Sequence, residues 1–267
     1  VGVLELGEHR LQLGDVTHVM GVINVSPESK NTHTIARSVD EALLMADRYR
    51  NWGAGLIDVG GQSSSLENPT IQAADEVSRV VPAVEALVAE GHVVSIDTWK
   101  PEVAEAAVGA GALIVNDTGG LASEEMRELV AGAGVAAIAV HVEGANPHAV
   151  DEVEIRSDKA KRTADGFRSL LAELSAVGID NVILDPGIAL NYRGDYTAYS
   201  RMQLQVIADS HHLKALGRPV LIPIPRKRDG HWTATYLGLA IEHQADIIRV
   251  HDVAMACDLV RLFGREP

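Results

Sequence analysis

Val93-Val-Ser-Ile-Asp-Thr-Trp-Lys-Pro-Glu-Val-Ala-Glu-Ala-Ala-Val-Gly-Ala-Gly-Ala-Leu-Ile-Val-Asn116 carries a strand, a helix and a second strand in one short stretch. Its ends, Val93–Asp97 and Leu113–Asn116, are β-branched runs that are apolar nearly throughout and finish on a carboxylate or an amide. Continuous apolarity suits a parallel strand, because helices cover both of its faces. Pro101 stands at a first helical position, where its missing N–H leaves nothing unsatisfied. Outward from this unit the pattern repeats. Strands are expected at His18–Val25, Gly55–Val59, Ala136–His141, Asn181–Leu184, Pro219–Ile224 and Asp246–Val250. Helices are expected at Ile35–Trp52, Ala73–Glu90, Pro101–Ala110, Ser123–Ala133, Ser157–Val177, Tyr196–Leu216, Thr233–His243 and Ala254–Phe263. Eight successive βα units in about 250 residues predict an α/β fold, a closed (β/α)8 TIM barrel. Val3–Leu6 and Arg10–Leu13 form an N-terminal β-hairpin ahead of the first barrel strand. No linker or low-complexity tract divides 1–267, so one domain is expected.

The 267 residues carry 23 Lys plus Arg against 37 Asp plus Glu, a net charge of −14. Such a surface argues against nucleic-acid and anionic-membrane partners, which need a broad basic face. It leaves room for one small anion in a local basic pocket. The single cysteine, Cys257, excludes an intramolecular disulfide and a Cys-rich zinc site. No apolar run approaches the roughly 18 residues of a membrane span. Val1–Gly14 lacks the apolar core of a signal peptide, so a cytoplasmic protein is expected. Gly60-Gly61 and Gly119-Gly120 lack the spacing of a phosphate loop or dinucleotide fingerprint.

In a barrel of this kind the chemistry lies at the C-terminal ends of the strands. Asp97, Asn116 and Asp185 end three separate strands, and Lys227 faces them across the mouth. A carboxylate, amide and amine set can hold a flat heterocycle with adjacent donors and acceptors. Each member alone also fits a helix cap. Arg249-Val-His251, beside Asn24, predicts a separate anion-binding corner.

These residues resemble the dihydropteroate synthase family. Met20-Gly-Val-Ile-Asn-Val-Ser-Pro-Glu-Ser29 is similar to its first-strand motif, M-G-x-x-N-V-T-P-D-S, and Ile57-Asp-Val-Gly-Gly-Gln-Ser63 to its second, I-D-[IV]-G-G-E-S-T-R. Ser95-Ile-Asp-Thr98, Asn116-Asp117, Leu184-Asp-Pro-Gly187, Arg226-Lys227 and Arg249-Val-His-Asp-Val253 follow in order over nearly the whole chain. The resemblance implies condensation of 6-hydroxymethyl-7,8-dihydropterin pyrophosphate with p-aminobenzoate, expelling pyrophosphate with Mg²⁺. It implies that Asp97, Asn116, Asp185 and Lys227 hold the pterin. Asn24, Arg249 and His251 would hold the diphosphate and act in catalysis, with Asn24 also on the metal. It further implies a homodimer through outer helices, for which Thr233–His243 and Ala254–Phe263 are candidates.

The departures gather on one side. The second motif ends Ser63-Ser64-Ser65 where the family has Ser-Thr-Arg, and Pro225 replaces the serine before Arg-Lys. Ser64, Ser65 and Pro225 therefore mark a second-substrate surface without its arginine and hydroxyl; proline offers neither hydroxyl nor N–H. Lys30 and His33 lie in the first loop, where the family has an aromatic residue and a glycine pair, and either restore positive charge or are solvated. Glu143 ends strand five as a candidate mouth residue. Two alternatives stay open beside the synthase: a pterin-binding paralogue with an accessory role, and a methyltetrahydrofolate methyltransferase-like enzyme. The second makes little use of Arg249-Val-His-Asp, since it has no anionic leaving group.

Overall fold

Val3–Leu6 (β1) and His9–Gln12 (β2) pair antiparallel across a turn in which Gly7 takes a left-handed φ of 58°. The computed structural model describes residues 2–29, 31–63, 67–144, 146–149, 154–190, 194–225 and 229–267. After the hairpin come His18–Asn24 (β3), Leu56–Gly60 (β4), Val94–Asp97 (β5), Ile114–Asp117 (β6), Ala136–Val140 (β7), Val182–Asp185 (β8), Leu221–Pro223 (β9) and Ile247–Val250 (β10). These eight pair in parallel in the order β8-β7-β6-β5-β4-β3-β10-β9. A parallel bridge between Leu184 and Val220, with the Leu184 amide donating to the Pro219 carbonyl at 2.8 Å, joins the two ends and closes the barrel. All eight expected strands are present within a residue or two.

Around them run Val39–Trp52 (α1), Ala73–Ala89 (α2), Pro101–Gly109 (α3), Glu124–Ala133 (α4), Lys159–Ala176 (α5), Tyr196–Ala208 (α6), His211–Lys214 (α7), Gly230–Glu242 (α8) and Val253–Leu262 (α9). Helix α1 starts later than its apolar pattern predicts. Ile35 bridges to Asn24, and Ser38 takes the cap by accepting from the Glu41 amide at 3.1 Å. The single helix expected over Tyr196–Leu216 is two. The Ser210 and His212 amides reach back three residues, to Ile207 and Asp209, and tighten the backbone between α6 and α7. Among the described residues no helix is long and apolar enough to cross a membrane.

Strand alternation divides the apolar interior into two cores. Outward-facing Val19, Ile23, Ile57, Val59, Ile96 and Val115 pack under the helices. Inward-facing Met20, Leu56, Ile114, Ile138, Ile183 and Ile247 fill the barrel, joined from below by Leu4, Leu6 and Leu13 of the hairpin. Each such buried aliphatic side chain stabilises by roughly 1.5–3 kcal/mol, so the hairpin is a firm plug. The filled lower barrel leaves only the C-terminal mouth for polar chemistry.

Candidate active site

Lateral pairing fixes which side chains meet in the mouth. Asn24 pairs with Gly60, Gly60 with Asp97, and Asp97 with Asn116, so the row shares one inward face. Asp58 lies on the same face of β4 one layer deeper, and Asp185 ends β8. Asp58, Asn116 and Asp185 are 0%, 2% and 4% exposed. Such burial of carboxylates requires partners. Asp58 Oδ2 accepts from Arg249 Nε at 2.6 Å and from Asn116 Nδ2 at 3.2 Å. Arg249 Nη2 also donates to Asp97 Oδ2. Asp185 Oδ1 accepts from the Gly187 amide at 2.7 Å. That turn demands glycine: φ at Gly187 is 70°, and a Cβ there would lie 1.8 Å from the His141 carbonyl oxygen.

Three carboxylates around one guanidinium leave an excess of acceptors. Burial raises the pKa of Asp97 to about 7, although Arg249 opposes the shift. Burial likewise raises Asp185 to about 7, against the Gly187 hydrogen bond and Arg249. Burial disfavours the charge on Arg249, but Asp58, Asp97 and Asp185 outweigh it and push its pKa up. Asp58 Oδ1 and Asn116 Oδ1 are buried without a hydrogen-bond partner. The mouth thus presents acceptors to whatever enters it. A heterocycle with several N–H donors is the complementary ligand.

The anion corner differs from expectation. Arg249 turns to Asp58 and Asp97 and so belongs to the carboxylate floor. One wholly buried carboxylate and one partly buried one hold the guanidinium more strongly than an open mouth does. The other two groups are taken by the first loop. Asn24 Nδ2 donates to Thr34 Oγ1 at 2.7 Å, and Asn31 Nδ2 donates to His251 Nε2 at 2.9 Å. His33 meets His251 edge-on, with ring centroids 6.3 Å apart. Both imidazoles and Pro225 line a cleft of about 250 Å³ against the starts of α8 and α9. Pro225 therefore faces this cleft beside His251. Lys227, Ser64, Ser65 and Lys30 lie outside the described residues.

Loops around the mouth are held by side chains. Lys100 Nζ donates to Gln62 Oε1 and Glu76 Oε2, both at 2.6 Å, and to the Ile71 carbonyl at 2.8 Å. His148 Nε2 donates to the Ser63 carbonyl at 3.0 Å, and its ring packs against Trp99 at 5.3 Å between centroids. Arg79 Nη1 donates to both oxygens of Glu28, at 2.9 and 3.2 Å. Glu143 pairs with buried Lys159 and so ties the end of β7 to α5. It is thereby a structural anchor. Asp117 caps its own turn, accepting from the Gly119 and Leu121 amides at 2.7 and 2.8 Å. Asp58 is not among the residues that the sequence pattern singles out. Its signal was a charge in the middle of the apolar strand Leu56–Gly60, on the alternate that faces the barrel.

The sequence family described as Pterin binding enzyme matches residues 20–256. The chain belongs to the pterin binding enzyme family. Within this family it is similar to the dihydropteroate synthase of Streptococcus pyogenes, 32% identical over 266 residues, which is 92% of this chain and 94% of that one. It is also similar to a probable bifunctional folylpolyglutamate synthase/dihydropteroate synthase of Halobacterium salinarum, 33% identical over 261 residues. That match covers 93% of this chain and 31% of the relative, so the chain spans about a third of that protein's length. Among solved structures it resembles Xanthomonas albilineans dihydropteroate synthase in complex with 7,8-dihydropteroate, with a TM-score of 0.79 at 27% identity, covering 98% and 97% of the two chains. The pterin-binding assignment and the acceptor-rich mouth agree.

Proposed function

We propose that the protein is a dihydropteroate synthase-type transferase acting on a dihydropterin pyrophosphate. The observation that carries this reading is the acceptor floor of buried Asp58, Asn116 and Asp185 and partly buried Asp97 at the C-terminal mouth of the barrel. Asp185 and Asp97 accept from the pterin's amino and ring N–H groups, while Lys227 answers its carbonyl. In the reaction the amine nitrogen of the second substrate bonds to the exocyclic methylene of the pterin as the C–O bond to diphosphate breaks. The electron pair leaves on the diphosphate, and the nitrogen sheds a proton. Arg249 and His251, with Asn24, stabilise the departing anion by hydrogen bonds that strengthen as its charge develops.

Asn24 also suits a Mg²⁺ ion. Its amide oxygen faces space that Gly60 leaves open, since a Cβ at residue 60 would lie 3.5 Å from Asn24 Oδ1. An amide oxygen together with diphosphate and water oxygens is a hard donor set. When bound, the ion adds positive charge at the leaving group. A homodimer and a cytoplasmic location go with the same reading. Leu262 and Phe263 at the end of α9, 77% and 38% exposed, are apolar surface that a second copy would cover.

Pro225 favours a narrower version, in which p-aminobenzoate is a poor second substrate because residue 225 offers its carboxylate neither a hydroxyl nor an N–H. Calorimetric titration with the pterin pyrophosphate, with and without Mg²⁺, followed by p-aminobenzoate, tests both versions. Saturable pterin binding is expected, with weak heat from p-aminobenzoate. Absence of pterin binding overturns the reading.

A further inference from the structure

We propose that Asp58 is a positioning residue: it parks Arg249 over the floor and thereby couples pterin binding to diphosphate binding. The inference rests on the pterin-binding reading above. Arg249 is a fork with two tines in the floor, Nε on Asp58 and Nη2 on Asp97. Asp58 is wholly buried, and the Arg249 side chain is only 17% exposed. The guanidinium therefore supplies, within the barrel, the donors that a pterin would bring.

Two ligands then compete with, or compete for, the same side chain. A pterin that gives its N–H to Asp97 Oδ2, the oxygen that Nη2 holds, displaces Nη2. Left near the floor without a full set of acceptors, the arginine is a poorly compensated buried cation. A diphosphate at Asn24 and His251 provides those acceptors. Taken alone, however, the diphosphate must draw Arg249 from two carboxylates and leave both without a donor. Each ligand thus favours the same rearranged state and relieves the cost that the other meets. That is positive coupling, and linkage requires the two affinities to change by one common factor. Thr34 and Asn31 on Asn24 and His251 set how hard the anion site is to open.

The experiment measures binding of inorganic pyrophosphate by calorimetry with and without saturating 6-hydroxymethylpterin, then the pterin with and without saturating pyrophosphate. Tightening by about tenfold or more is expected in both directions, with equal factors. Asp58→Asn keeps an acceptor for Asn116 but removes the negative charge that Arg249 faces, and the factor should fall below about threefold. A general loss of negative field would instead tighten pyrophosphate equally with and without pterin and leave the factor unchanged. Arg249→Lys lacks the fork and is expected to lose the coupling even if Asp58→Asn folds poorly. Independent binding in the wild type, or an unchanged factor in both variants, overturns the inference and spares the pterin-binding reading. No pterin binding at all overturns both.

Discussion

Asp58 stands within β4, and Asp97 and Asn116 at the ends of β5 and β6, each paired laterally on both sides, while Asp185 ends β8 and pairs with β7; the pairing sets each side chain's direction. Asn31, Thr34, Gln62 and His148 stand on loops and single 3-10 turns, each held by one to three side-chain hydrogen bonds. A strand residue cannot leave its place without opening the barrel. A loop residue gives way for the loss of about one hydrogen bond, roughly 0.5–1.5 kcal/mol net. The contrast explains why the floor matches the dihydropteroate synthase pattern while Ser65, Pro225 and the first loop depart from it. Chemistry built on strands is costly to alter; chemistry built on loops is open to change.

The sharpest test of the floor's rigidity is Gly187→Ala. A Cβ 1.8 Å from the His141 carbonyl oxygen cannot be accommodated by turning a side chain, and φ of 70° is already unfavourable for alanine. Loss of roughly 3–5 kcal/mol of stability is expected in urea unfolding, together with pterin binding. A variant within about 1 kcal/mol of the wild type would show that the β8 turn yields as a loop does.

Asp185→Asn separates stability from function within the floor. Asp185 has an ordinary value of 3.8 in the unfolded chain and about 7 when folded. Between those values the folded protein binds more protons, so Asp185's contribution to stability is greatest below about pH 4 and is lost as pH rises to about 7. The asparagine removes that loss. The variant's melting temperature should exceed the wild type's by a few degrees at about pH 8, with the difference vanishing near about pH 4. Its pterin affinity should fall by roughly 1.5–3 kcal/mol, as for a lost charged hydrogen bond. A variant less stable at high pH would mean that Asp185 is needed ionised for the fold.

These residues also mark what a sequence can convey. The eight strands were legible because parallel strands must be apolar throughout, and Asp97, Asn116 and Asp185 because a polar residue ending such a strand faces the mouth. The barrel's closure and its hairpin follow from the same patterning. Arg249's partners were not legible. Asp58 lies 191 residues away, and a guanidinium can reach either outward to an anion or across to a carboxylate. Only the count of buried charges decides between them. Nor did periodicity mark Asn31 and Thr34, since single side-chain bonds in a loop impose no repeat. The break between α6 and α7 escaped for a related reason: its apolar spacing continues through a backbone that tightens.

Restoring the groups in which this sequence departs from the family pattern should change activity with little effect on stability. Ser65→Arg with Pro225→Ser returns a cation and a hydroxyl, each able to form a charge-assisted bond with a carboxylate. A rise of about tenfold or more in kcat/KM for p-aminobenzoate is expected, with sulfonamide inhibition rising in parallel and pterin affinity unchanged. If the wild type already turns over at the roughly 1 s⁻¹ of ordinary enzymes, with saturable p-aminobenzoate, another rim group has replaced the missing contacts.

The smallest effect is expected where rim meets rim. Arg79 clamps Glu28 through both carboxylate oxygens and also donates to the Gly61 carbonyl at 3.0 Å, while Asn68 Nδ2 donates to the Glu28 carbonyl at 3.0 Å. The first loop is thereby joined to the loop that follows β4. The Arg79 and Glu28 side chains are 29% and 26% exposed, so solvent screens the pair and its worth to global stability is at most about 1 kcal/mol. Glu28→Gln keeps an acceptor for one arginine N–H but removes the charge and half of the clamp. Melting temperature should therefore move by no more than about 2–4 °C. Amide exchange tells more. Faster exchange is expected in residues 67–71, while the strands β4 and β5 stay protected, because local opening of a loop is governed by its own few contacts. Exchange that accelerates equally in β5 would mean that floor and rim open as one unit, and the distinction between them would fail.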